Sequence, residues 1–585
     1  MITLVHKLRK DIIEKDVDDA HFLLTNKKGG YVYFSNNPVS KYQGVFFNHK
    51  FRMFKTIDNI NLPVPVTKVI NKFCSVVRER GIVTEEFFMP HNFDSFVYTV
   101  ANYDDFVTVD LDCRESYEGE GLGRIYNIYP EQGKLVVEFI KGNSYRFFLV
   151  VGGFVGFENI RHWKQVFYPL DQKRNSDAHR YVYSAFKLKG SRFVFSFSMD
   201  KYKAMKECSY VLNNYRKLMK KQERSLIYKT SVKSKELRMA YNACLNSLNS
   251  LLVNIDDKFG LFAGLPWFFQ IWSRDEMVSL KALSKIINVK PIVDRTLASI
   301  LPDGSLPNRF PPSSLESADS IGWFYCRVGK PLRIKEVAQA QLKYHTKDAF
   351  AINGPLDTWM DTVERPGARI EIQAIRLLIY KLLGNVKIWK DVHRTELDEE
   401  GAYVKEQKRE VSGKELEREL RDKVKERFWN RIILFDGLND QTIRPNIFIA
   451  AYIHPDLLSK KEWVFCFRNA LPRLWNEWGG LATIDKYSPS FVDTYTGETN
   501  LSYHNGDSWF WLNNMAALLM FKYDRAKFKP YIEKILEAST HEILYSGMVG
   551  HHAELSSSRS LDSNGCLAQA WSSALFVELV DAMKK

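Results

Sequence analysis

KELRMAYNACLNSLNSLLVNI, residues 235–255, is the stretch where the chain changes its period. Leu237, Ala240, Cys244, Leu248, Leu251 and Ile255 recur at the three- and four-residue spacing that places apolar side chains on one helix face. Before it, from about Ala20 to Ser198, the text is short β-branched and aromatic runs: Tyr31 to Ser35, Phe96 to Val100, Phe106 to Leu111, Lys134 to Ile140, Tyr145 to Val151 and Phe193 to Phe197. Turns such as Lys28-Gly29-Gly30 and Lys141-Gly142-Asn143 separate these runs, a spacing that predicts a β-sandwich. After it, helical periodicity continues through Asp275 to Ile287, Val293 to Leu301, Arg369 to Leu383, Lys414 to Trp429, Lys460 to Trp475, Ser508 to Met520 and Gly565 to Met583. So many helices without intervening strands predict a large helical array, a toroid of helix pairs, and the absence of a fixed-length repeat argues against a solenoid. The mixed-charge segment Asp398 to Glu426 reads as an exposed helix pair.

With 585 residues the chain exceeds what one ordinary core supports, so more than one folding unit is expected. The division read from the text is a β-sandwich over 1–200, a basic helical connector over 201–235 and a helical domain over 236–585. The connector holds the one local concentration of a net charge of +14: eleven Lys or Arg between Lys201 and Lys235, against Glu207 and Glu223 alone. A solvated helix face accounts for that run, and because the remaining charge is diffuse no nucleic-acid partner is expected. Seven scattered cysteines without CxxC or Cys/His metal spacing predict a reducing, cytoplasmic setting. Met1 to Asp16 lacks the apolar core of a signal peptide and no apolar run reaches membrane-spanning length, so no membrane association is expected. The text leaves a homo-oligomer open.

The 13 Trp, 28 Tyr and 39 Phe are core material first, but flat rings also stack on the C–H faces of sugars. Acidic residues set among such rings are therefore the ones to inspect, since glycoside hydrolysis asks for one protonated and one ionised carboxyl. Four clusters qualify: Gly264-Leu265-Pro266-Trp267 running into Trp272-Ser273-Arg274-Asp275; Asp357-Thr358-Trp359-Met360-Asp361; Tyr503-His504-Asn505-Gly506 with Trp509 and Trp511; and Ala553-Glu554-Leu555 followed by Gln569-Ala570-Trp571-Ser572.

In order along the chain, these clusters resemble the amylo-α-1,6-glucosidase type of glycogen debranching enzyme, joined by Pro307-Asn308-Arg309-Phe310, Ile370-Glu371-Ile372-Gln373-Ala374 and Arg444-Pro445-Asn446. Leu23-Leu24-Thr25-Asn26, Gly29-Gly30-Tyr31, Lys41-Tyr42-Gln43-Gly44 and Phe88-Met89-Pro90-His91 look like the β-sandwich that precedes the catalytic domain in bacterial and archaeal members. The resemblance implies an (α/α)6 barrel releasing glucose from an α-glucan such as glycogen by inversion, with no cofactor or metal. It implies that Asp361 is the general acid and Glu554 the base. Burial beside Trp359 and Met360 would keep Asp361 protonated, whereas the competing readings are a helix cap or ion-pair partner for Asp361, with Asp357 as the acid. For Glu554 the competing reading is a surface loop, with Asp562 as the base. Inversion requires the two carboxyls about 6.5 to 9.5 Å apart, with room for a water.

Arg274 and Asp275 are expected to hold sugar hydroxyls, and Trp267, Trp272, Trp359, Trp509 and Trp571 to supply stacking faces. Arg309, Glu371, Arg444, Asn446 and His504 complete the expected site. The sequence departs from the family pattern at Ser273, Glu276 and Asn505 to Ser508, positions that bear on linkage and chain-length preference, and at Ala553, His551-His552 and Ser556 to Ser560, which bear on Glu554 as the base. No βα alternation marks the transferase barrel of two-activity debranchers, which implies action on branches already trimmed. A glucoamylase-like or trehalase-like α-glucosidase of the same architecture and a non-catalytic glucan-binding protein are the alternatives.

Overall fold

A computed structural model describes residues 1–119, 122–314, 316–398 and 401–584. Its N-terminal part is two large, mostly antiparallel sheets packed face to face. The ten-stranded sheet runs Arg124–Glu131, Lys134–Lys141, Tyr145–Gly152, Arg192–Ser198, Ser95–Ala101, Val83–Phe88, Ser75–Arg80, Lys68–Asn71, Ile2–Leu8, Asp11–Val17. The seven-stranded sheet runs Gly156–Phe167, His179–Lys189, Val107–Glu115, Arg52–Asn61, Gly44–His49, Tyr31–Phe34, Phe22–Thr25. Alternation sends one set of side chains inward, and the two sheets meet through aromatic rings: Phe47 of one stacks on Phe197 of the other with centroids 5.3 Å apart, and Phe54 meets Phe147 at 5.8 Å. Such pairs are worth about 0.5–1.5 kcal/mol each beyond their buried area, which explains the dense Phe usage in this half.

The basic helix Lys201–Arg224 lies on the outer face of the ten-stranded sheet. Its buried Ala204, Met205, Cys208 and Val211 cover Val97, Val136, Val150 and Val194, leaving most of its cations toward water. Asp200 caps its start, accepting from the Lys203 amide at 2.8 Å.

In the helical part, six helices touch their neighbours around a closed ring. Ser273–Leu283 contacts Ser320–Val328, then Ile370–Leu383, Asn446–Ile453, Phe510–Tyr545, Ala570–Met583 and Ser273–Leu283 again. Further helices, Lys235–Leu251, Ile334–Tyr344, Gly413–Phe428 and Lys460–Leu474, pack outside it. The Phe510–Tyr545 helix serves both layers because Asp524 is non-helical (φ −159°, ψ 84°) and breaks it in two. The expected helix pair at Asp398 to Glu426 is corrected: strands Lys387–Asp398 and Gly401–Ser412 form a hairpin, and a single helix, Gly413–Phe428, follows. Mixed charge misleads here because a hairpin alternates charges across strands as a helix does along its surface, as where Asp391 faces Lys408 while Ile388 and Val411 pair in the core.

Candidate active site

The N-terminal ends of the ring helices converge. Trp272, Arg274 and Asp275 stand at the start of one, Asp319 just before the next, and Trp509 and Trp571 at the starts of two more. Two-residue bridges tie these entrances together: Ile271–Trp272 pairs with Arg309–Phe310, Ser508–Trp509 with Leu555–Ser556, and Gly264–Leu265 with Ala568–Gln569. The bridges place Trp272 and Trp509 immediately ahead of their helices.

Between them lies a pocket of about 190 Å³. That space is large enough to admit a sugar ring. Of the residues singled out in the sequence, Trp272, Arg274, Asp275, Trp359, Asp361, Trp509, Glu554 and Trp571 line it. Phe268, Thr362, Glu498, Tyr503 and Gln569 join them.

Arg274 is buried and aimed by Asp319, whose two oxygens accept from Nε at 2.8 and 2.9 Å. That grip leaves Nη1 3.9 Å from Asp361 Oδ2. Asp361 faces the pocket with 38% of its side chain exposed, yet the enclosing protein strips enough hydration to push its carboxyl up to about 6, Arg274 opposing. Asp275, fully enclosed, accepts from Gln569 Nε2 at 2.8 Å, and burial pushes it up to about 7.

Glu554 is bracketed on both oxygens: the Tyr503 hydroxyl donates to Oε1 at 2.6 Å and the Cys566 amide to Oε2 at 2.8 Å. Burial drives its carboxyl well above the usual carboxylate range while both donors pull the other way. The backbone is anchored as well, its N–H donating to Cys566 O at 2.8 Å and its carbonyl accepting from the Phe510 amide at 3.2 Å.

The remaining expected residues sit behind or beside the pocket. His504, buried, places Nδ1 2.7 Å from Thr362 Oγ1 and stacks on Trp509 at 5.0 Å; burial and then Arg444 hold its imidazole far below the usual range, so it is neutral. Arg444 donates to the carbonyls of His504 at 2.7 Å and Thr483 at 3.1 Å. Asn446 accepts from Trp359 Nε1 at 2.8 Å and donates to Asp436 at 2.7 Å. Glu371 accepts from Arg365 at 2.9 Å, and Arg365 also reaches Asp436 at 2.8 Å, so Glu371 belongs to a buried ion network. Arg309 lies over the Trp272 ring, 5.7 Å from its centre, outside the pocket lining. Trp267 is likewise outside it, covered by Tyr42 and Arg174 of the N-terminal part.

Of the competing carboxyls, Asp357 accepts from the Gly354 amide at 2.7 Å in a turn and lines a separate cavity. Asp562 accepts from Ser560 at 2.8 Å, away from the pocket. Sequence reading missed Glu498, Asp319 and Arg365, which stand outside the four acid-and-aromatic clusters. Tyr503 and Gln569 were in quoted motifs but not singled out. Among the described residues, no group of three or more His, Cys, Asp and Glu is placed to hold a metal ion.

Residues 333–578 match the family model described as amylo-alpha-1,6-glucosidase. No curated protein matches the chain. Among solved structures, a wild-type glycosidase is similar at 13% identity and a TM-score of 0.42, over 60% of this chain and 99% of the other. A glycosidase variant in complex with glucose is similar at 13% identity and a TM-score of 0.41, with the same coverage. A GH63 mannosylglycerate hydrolase from Thermus thermophilus in complex with glucose is similar at 13% identity and a TM-score of 0.38, over 58% of this chain and 99% of that one.

Proposed function

We propose, from the match of residues 333–578 to the amylo-alpha-1,6-glucosidase family model, a glycosidase that hydrolyses terminal glucose from α-glucans, α-1,6 branch stubs foremost, by an inverting two-carboxyl mechanism. The observation that carries this reading is that two carboxyls, Asp361 and Glu554, line one pocket together with Arg274 and four tryptophans. Asp361 is pushed up by lost hydration with a guanidinium 3.9 Å away as its facing charge. Glu554 is driven well above the usual carboxylate range by burial, and two directed hydrogen bonds that favour its ionised form oppose that shift.

The steps use that pair of carboxyls. A terminal sugar enters the pocket against Trp272, Trp359, Trp509 and Trp571, with Arg274 and Asp275 offering a donor and an acceptor to its hydroxyls. Asp361 gives its proton to the glycosidic oxygen as the bond to the anomeric carbon breaks. Glu554 takes a proton from a water, whose oxygen bonds to that carbon from the opposite face. Glucose of inverted configuration and a shortened chain with a free hydroxyl result. Proton uptake at Glu554 and release at Asp361 balance, so solvent need only return each to its starting state.

We assign the closed ring and its outer helices to an (α/α)6 barrel. Residues 236–585 are then the catalytic domain, with the sandwich at 1–200 and the connector at 201–235. The protein's setting in this reading is the cytoplasm, where its seven unpaired cysteines stay reduced.

The test is glucose release from a phosphorylase-plus-transferase limit dextrin, soluble starch, maltose and trehalose, with wild type, Asp361→Asn and Glu554→Gln. Release from limit dextrin above the others, lost in both variants, is the expected outcome. Preference for maltose or trehalose would overturn the linkage, and full activity in either variant would overturn that residue's role.

A further inference from the structure

The pocket wall is not built by the helical part alone. Strands Gly156–Phe167 and His179–Lys189 of the sandwich are joined by a connection carrying the short helix Pro169–Lys173, with Arg174 at its end. Asp171 pins that helix to the sandwich, accepting from the Lys41 amide at 2.5 Å and Ser40 Oγ at 3.2 Å. From there Arg174 reaches a residue 324 positions away in the chain. Its Nε donates to Glu498 Oε1 at 2.9 Å and its Nη2 to Oε2 at 2.8 Å, a bidentate pair. The arginine's side chain is 8% exposed and its guanidinium lies 3.3 Å over the Trp267 ring, so it is fixed in position before it meets the carboxylate.

The loop that carries Glu498 is gripped at neighbouring points. Asn175 donates to Thr496 O at 2.6 Å, and the Tyr495 hydroxyl donates to Glu498 Oε1 at 2.8 Å. Gly497 sits at φ +90°, and a Cβ there would come within 2.4 Å of Arg174 O, so only glycine lets the two backbones approach this closely. Glu498 still lines the sugar-sized pocket, with 22% of its side chain exposed.

Counting acceptor positions shows what remains. A carboxylate offers two lone pairs per oxygen. Arg174 and Tyr495 occupy both on Oε1, and Arg174 one on Oε2, which leaves one acceptor position on Oε2. Because Arg174 already balances the negative charge, the group suits a neutral hydroxyl rather than a cation.

We propose that the N-terminal sandwich completes the active site: Glu498 is a specificity-determining residue that accepts a hydrogen bond from a sugar hydroxyl, and Arg174 is the positioning residue that holds it there. The proposal rests on the glycosidase reading above for its ligand class. The sandwich is thereby a working part of the pocket, and Trp267 acts in it as the platform for Arg174.

Two measurements test this on the full chain: kcat and KM for glucose release, and glucose binding followed by the fluorescence of the pocket tryptophans. Arg174→Ala and Glu498→Ala are expected to raise both KM and the glucose Kd about ten- to a hundredfold, with kcat within about threefold of wild type, the signature of lost uniform binding. Arg174→Lys keeps the charge but not the fork and should fall between. Gly497→Ala, which moves the loop without removing either charge, should reproduce the Glu498→Ala loss. Unchanged KM and Kd in the two alanine variants, even with lowered thermal stability, would overturn the proposal. If wild type binds glucose but hydrolyses no glucan, the hydrolytic reading fails while Kd alone decides the clamp; if it binds no glucose, the clamp is overturned.

Discussion

Gly565→Ala tests the role of Glu554 without touching a charge. Gly565 has φ +62°, and a Cβ built there lies 2.3 Å from Glu554 Oε2 and 3.1 Å from its Cβ and Cδ. Ordinary contact begins near 3.4 Å, so the carboxylate must retreat by roughly 1 Å, and its hold on the Cys566 amide and Tyr503 hydroxyl prevents it from doing so freely. A misplacement of about 1 Å can cost on the order of 100-fold in rate. The left-handed backbone adds about 1–2 kcal/mol to the stability cost for any residue with a Cβ. Gly329→Ala separates the two effects, since Gly329 has φ +63° and open space where the Cβ would go. Both variants should lose a similar amount, about 1–2 kcal/mol, in denaturant unfolding from the backbone term, with the clash adding to the loss in Gly565→Ala. Only Gly565→Ala should lose about two orders of magnitude in kcat for glucose release. Wild-type kcat in a folded Gly565→Ala would refute Glu554 as the base.

Two further outcomes follow from the buried carboxyls. In Tyr503→Phe the loss of a hydroxyl that favours ionised Glu554 raises that pKa, so the base stays protonated to higher pH. The acid limb of the kcat/KM profile should therefore move up by about one to two pH units; an unmoved limb would remove Tyr503 from that role. Asp507, buried with Oδ1 unpartnered, is pushed up to about 8 by lost hydration. A folded pKa above the unfolded one gives stability that is present below pH 3.8 and lost as pH rises to about 8. Asp507→Asn should accordingly be more stable than wild type at pH 8, by about 2–3 kcal/mol after its own unsatisfied amide is counted, with the gap shrinking and then reversing toward pH 4 in denaturant unfolding. A gap independent of pH would show that Asp507 does not titrate there.

Which parts of this architecture were legible depends on how far the deciding partner lies along the chain. The change from two-residue to helical periodicity at residues 235–255 is local, and the β-rich and helical halves follow from it. The placing of Asp361 and Glu554 at one pocket was also signalled locally, because each stands in a cluster of acids and aromatics and both line the pocket. Trp267, Arg309, Glu371, Arg444 and Asn446 show where local text stops informing. Each belongs to a motif, but the motif fixes chemical type and not depth, and all five lie outside the pocket lining as supports for residues that do line it or for the network behind them. Glu498 is the opposite case. Its surroundings, Thr496-Gly497-Glu498-Thr499-Asn500, read as a solvated turn, and what makes it a wall of the pocket is an arginine in the other half of the protein. A polar group in a polar loop gains a function only when a distant partner removes its freedom and its water. That partner is supplied here by a connection in the sandwich, so the pocket's shape depends on both halves folding against each other, and a helical part expressed alone should lose sugar affinity before it loses its acid and base.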